Sequence, residues 1–140
     1  MSKLKIFIFC SLFSLYSFSQ NNKIDKKQSE IFFNKAIKNF ENAQLDDAII
    51  NIDKAIKLDP NNSNSYYIKG LISQQKSNLN DALTLYKKAI QLNPKNSDAM
   101  MKCAIIYGKQ NNKNLSCSYL KKACDIGASD ACSGYNKFCN

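Results

Sequence analysis

The sequence predicts an all-α protein, a solenoid of antiparallel helical hairpins, and three observations lead there. Its two prolines, Pro60 and Pro94, stand 34 residues apart, and residues 29–62 align with 63–96 without a gap at about a third identity. Within each unit the apolar residues recur at helical spacing, as in Phe32, Ala36 and Phe40, then Ala48, Ile52 and Ala55. The alternation of a half-buried strand is missing throughout. At 140 residues the chain is long enough for one small domain.

Residues 1–19 have the make-up of a secretory signal. Lys3 and Lys5 precede an uncharged stretch, Ile6–Phe18, and Ser17 and Ser19 place small residues where a signal peptidase needs them. Thirteen residues are too few for a membrane span, which takes about 20. Residues 20–28 are polar and Lys-rich and are expected to form a flexible leader. The domain then occupies 29–140, with units 29–62, 63–96 and 97–128 and a capping helix over 129–139. Helices are expected near 29–42, 45–58, 63–76, 79–92, 97–110, 114–126 and 129–138. Glu41–Gln44 and Gln75–Asn78 form the turns inside units, and each proline stops the second helix of its unit.

Small residues hold equivalent places in all three units: Ala36, Gly70 and Ala104; Ala48, Ala82 and Ser116; Ala55, Ala89 and Ala123. Such positions let neighbouring helices approach closely. In the third unit Asp125-Ile126-Gly127 replaces the Leu-Asp-Pro exit, and Gly127 suits a helix terminus with positive φ.

Together with Phe32 and Tyr66 at the starts of the first helices, these residues resemble the tetratricopeptide repeat (TPR) family over Ser29 to about Ile126. The tail from Lys121 to Cys132 is similar to the Sel1-like, cysteine-rich variant of these repeats, in which a cysteine near a helix end is linked to one eight residues later. The resemblance implies a right-handed helical-hairpin solenoid and a protein–protein interaction module whose first helices line a concave groove. Carried over by position, the groove residues are Phe33, Ile37, Tyr67, Leu71, Gln74, Met101, Ile105 and Lys109. Ile37, Leu71 and Ile105 also suit a core at this spacing, whereas Phe33, Tyr67 and Met101 are expected to be more exposed. Family members that clamp a C-terminal carboxylate place Lys and Asn where Phe33 and Ile37 stand, which argues against a receptor for such tails. The expected function is therefore binding of a peptide or envelope protein by an exported module, periplasmic or secreted. The alternative is a small structural or self-assembling component of an envelope complex.

Composition argues against catalysis. His, Arg and Trp are all absent, which removes Ser/His/Asp and Cys/His nucleophile pairs, the HExxH zinc helix and the two-His iron site. Ser73/Lys76 and Ser118/Lys121 match Ser-x-x-Lys, but no Ser-Asp-Asn or Lys-Thr-Gly motif accompanies them. Cys-x-x-Cys and Gly-rich phosphate loops are missing. No enzyme, cofactor or metal is expected. The net charge of +9 rests on lysine alone, without the arginines that make bidentate contacts to nucleic acid. No nucleic-acid partner and no transmembrane span are expected, and the charge allows weak association with an anionic envelope surface.

Five cysteines follow the signal. Cys124 and Cys132 lie four residues either side of Ala128, and Cys117 and Cys139 eleven either side. An antiparallel hairpin turning at Ala128 brings each pair together as a disulfide ladder. The spacings lack the close pairs of a zinc site. Cys103 is left as a free, buried thiol.

Overall fold

A computed structural model describes residues 23 and 25–139, and the expected signal at 1–19 lies outside the described residues. The described chain is all helical. Helix α1 runs through residues 25–41, followed by α2 (Leu45–Leu58), α3 (Ser63–Gln75), α4 (Leu79–Leu92), α5 (Ser97–Lys109), α6 (Lys113–Asp125) and α7 (Ser129–Cys139). Of the segment 20–28, expected as a leader, residues 25–28 are already helical and exposed. Lys26, Lys27 and Gln28 favour helix, and the buried Ser29 anchors the end that they extend.

Two kinds of turn alternate along the stack. Those inside each unit close with a left-handed residue, Ala43, Ser77 or Asn111, at φ between 58° and 64°. Each donates its N–H three residues back, and the next residue donates five back, as in Ala43 to Phe40 and Gln44 to Asn39. That pair of bonds satisfies carbonyls the helix end would otherwise leave open. The turns between the first three units contain the prolines and cap the following helix with asparagine: Asn62 accepts from the N–H groups of Asn64 and Ser65, and Asn96 from that of Ala99. The α6–α7 turn has no proline. It closes as the turns inside units do, with Gly127 at φ 94°.

The small residues lie where the helices cross: Ala36, Ala48, Ala55, Ala82, Ala89 and Ala123 are fully buried. Gly70 shows why the second unit departs from alanine. A Cβ built there would come within 2.5 Å of the Tyr86 ring, which is itself fully buried. Tyr86 occupies the position held by Ile52 in the first unit, so a larger side chain on one helix is matched by a smaller one on its neighbour. Tyr86 Oη then donates to Gln74 Oε1 at 2.9 Å.

Serines tie each hairpin to itself. Ser29 Oγ donates to the Ala55 carbonyl and Ser63 Oγ to that of Ala89, both at 2.9 Å and both across 26 residues. Asn96 Nδ2 donates to Ser63 Oγ, joining one unit to the next. Ser116, standing where the other units have alanine, donates to the Ala104 carbonyl at 2.9 Å.

The last hairpin carries the disulfide ladder. Cys117 is bonded to Cys139 with Cα atoms 5.7 Å apart, and Cys124 to Cys132 with Cα atoms 4.6 Å apart. Cys103 is a buried free thiol whose surroundings, by excluding water, push its pKa up to about 12. No helix among the described residues is long and apolar enough to cross a membrane.

Candidate functional site

Phe33 and Tyr67 hold the same place in consecutive units, on α1 and α3, and the stack brings them to one cleft of about 380 Å³. Its rim comes from the start of α3 and from the loop entering α5: Asn64, Ile68, Lys95, Asn96 and Asp98. The loop is held in shape by Asn93 Oδ1, which accepts from Lys95 N–H, and by the Asn96 cap of α5. The Tyr67 ring lies 5.8 Å from that of Tyr86, so its inner face is packed and its outer end faces the cleft. Partial burial, with the Asp98 carboxylate as a second cause, raises the pKa of its hydroxyl, which stays protonated and able to donate. The cleft thus offers two aromatic surfaces beside a hydroxyl donor, a carboxylate and a lysine.

A second cleft, of about 220 Å³, lies between α5, α6 and α7 and is almost wholly apolar. Ile105 and Phe138 flank it, each nearly half exposed, and Leu120, Gly108 and Gly134 complete its walls. Ile105 suits a core by its spacing, yet it is open. Its counterparts Ile37 and Leu71 are half-buried, whereas Ile105 borders the cleft, to which α7 contributes only Gly134 and the half-exposed Phe138.

The other expected groove residues are spread differently. Leu71 packs against the core around Tyr86, and Met101 against the group of Met100, Ala123 and Ala131. Gln74 is occupied by the Tyr86 hydroxyl. Ile37 is half-buried and Lys109 exposed, and neither lines a described cleft. Phe33, Tyr67 and Met101, expected to be more exposed, are all half-buried. The sequence reading missed Lys95, Asp98 and Phe138. The Asn-Pro-Lys-Asn turn could have pointed to the first two, since it must deliver them beside the residue after the α3 cap. Phe138 carried no comparable signal. Among the described residues no three metal-ligating side chains gather.

Two models of the tetratricopeptide repeat match, one over residues 51–84 and one over 70–111. No curated protein matches the chain in sequence. Among solved structures, the chain is similar to MamA, at 23% identity and TM-score 0.70, over 76% of this chain and 62% of that one. It therefore spans less than two thirds of the MamA chain. The N-terminal domain of stress-induced protein-1 from C. elegans superposes with TM-score 0.74 at 15% identity, covering 83% of this chain and 98% of the other. The first TPR of Spaghetti (RPAP3), bound to the HSP90 peptide SRMEEVD, gives TM-score 0.73 at 15% identity, covering 81% and 91%. Residues 51–111 carry tetratricopeptide repeats, and the helical stack that contains them is a solenoid of the tetratricopeptide type.

Proposed function

We propose that this chain is an exported, non-catalytic interaction module that holds an extended peptide or a segment of an envelope protein in the cleft between α1 and α3. The observation that carries the reading is the meeting of Phe33 and Tyr67, equivalent residues of two units, in one cleft with a polar rim. An apolar side chain of the partner would lie between the two rings, while the Tyr67 hydroxyl, Asn64 and Lys95 meet its backbone and carboxylates. A structural neighbour of the same fold is bound to a peptide, which supports this use of the fold. Two disulfides suit an oxidising compartment, in keeping with the signal-like N-terminus, and the stapled end is read as a Sel1-like cap.

Capture from the envelope fraction tests it. Tyr67→Ala and Phe33→Ala should each weaken retention of the same partner at least tenfold, with helix content unchanged. The alternative of self-assembly is checked by sedimentation over a range of concentrations. Retention that ignores both substitutions, or a partner that proves to be the chain itself, contradicts the reading.

A further inference from the structure

Along the sequence the lysines look evenly scattered, but the 34-residue period gathers many of them. Lys54, Lys88 and Lys122 hold one register position on α2, α4 and α6, and Lys87 and Lys121 hold the position before it. With Lys57 they all fall in the C-terminal halves of the second helices, and most are exposed. The carboxylates within these halves are already engaged: Asp53 pairs with Lys69 at 2.7 Å and Asp125 with Lys121 at 3.2 Å. Among the described residues none of Lys54, Lys57, Lys87, Lys88 and Lys122 is in an ion pair.

Three of these ammonium groups are held in place by aromatic rings. Lys54 Nζ stands 5.3 Å over Phe32, Lys87 Nζ 5.4 Å over Tyr107, and Lys122 Nζ 5.2 Å over Tyr119. Tyr107 and Tyr119 stack on each other with centroids 5.7 Å apart, so the second and third units share one lysine–tyrosine–tyrosine–lysine row. Neither Phe33 nor Tyr67 belongs to this surface, so it is separate from the proposed peptide cleft.

We propose that this face of α2, α4 and α6 docks on an anionic bilayer, its lysines meeting lipid phosphates. A polynucleotide is the poorer fit. The chain has no arginine for bidentate phosphate or base contacts, and the two stacked tyrosines occupy each other instead of offering faces to bases. A row of lysines fixed in position without a pocket suits a laterally mobile array of headgroups, and each lysine near such a surface contributes about fivefold in affinity.

The test is sedimentation of the purified protein with phosphatidylcholine vesicles, with and without phosphatidylglycerol. Binding should require phosphatidylglycerol and fall steeply with added salt. The triple variant Lys54→Gln, Lys88→Gln and Lys122→Gln should bind about a hundredfold more weakly. The control variant Lys26→Gln, Lys27→Gln and Lys38→Gln, which removes the same charge from α1, should bind nearly as the parent does. Phe33→Ala and Tyr67→Ala should leave vesicle binding intact, which separates this result from any failure of the peptide cleft. Equal binding to neutral vesicles, equal losses in the two triple variants, or tighter binding to single-stranded DNA than to the vesicles would each overturn the proposal.

Discussion

The hairpins α3–α4 and α6–α7 have the same outline but are held together by different means. In α3–α4 the fully buried Tyr86 and Ile72 lie in the stack with Ala82 and Ala89, and the Tyr86 and Ser63 hydroxyls bond across the pair. In α6–α7 the buried residues are Ser116, Ala123 and Ala131, all small, and two disulfides span the hairpin. An inner unit is covered on both sides, so large side chains can leave water there. Among the described residues the last hairpin has a neighbour on one side only and buries little apolar area. Restricting the unfolded chain by cross-links does for α7 what burial does for α3 and α4.

The comparison breaks most visibly if the cross-links go. Replacing all four bonded cysteines by alanine should cost roughly 3–5 kcal/mol, with the longer outer loop contributing at least as much as the nine-residue inner one. Denaturant unfolding should then show an early transition of the last hairpin, while the core around Tyr86 keeps the parent midpoint. A single coincident transition would mean that α7 is held by packing after all.

In α3–α4 the matching probe is steric. Gly70→Ala should cost about 2 kcal/mol through the clash with Tyr86, although alanine is the better helix former. Adding Tyr86→Ile restores the Ala/Ile pairing of the first unit, and the two changes should couple by at least about 1 kcal/mol in a double-mutant cycle. Additive losses would disprove the matching of sizes.

The next effect is set by pH. Burial holds the Cys103 thiol protonated up to about 12 in the folded chain, against 9.0 for the free group. Between these values the unfolded state has lost the proton that the folded state keeps. Stability is therefore fully present below pH 9.0 and falls as pH rises towards 12, by at most about 1.4 kcal/mol per pH unit. Burial raises the Tyr86 hydroxyl in the same direction, adding to the slope above its ordinary 10.0. Urea midpoints followed upward from pH 9.0 should fall less steeply in Cys103→Ala, and an unchanged slope would assign the effect elsewhere.

The smallest effect has the opposite sign. Ser65 Oγ is buried without a hydrogen-bond partner, and the third unit has the fully buried Ala99 at the same position. Ser65→Ala should stabilise by up to about 1 kcal/mol in thermal unfolding. A loss of that size would show that the hydroxyl is satisfied.

Most of the fold was legible because a repeat states each rule more than once. The alanines at 48 and 82 and the cysteine spacings around Ala128 each named a contact that is present, and the prolines at 60 and 94 marked the ends of α2 and α4. Two of the serine ties were equally visible, since Ser29 and Ser63 stand 34 residues apart, but serine has no single structural meaning until its partner carbonyl is known. The clefts were less legible. Position within a repeat says which side of a helix a residue takes, and so placed Phe33 and Tyr67 together. It does not say how far a neighbour covers that side, which is why Ile105 is open and Gln74 is engaged.

The account rests on the disulfides holding α7 where packing does not, and amide hydrogen exchange before and after mild reduction tests this most directly. The account predicts that reduction strips protection from α7 and the adjoining turns of α6, while α3 and α4 exchange as before. Equal protection of α7 with and without its disulfides would contradict it, as would loss of protection spread evenly over the whole stack.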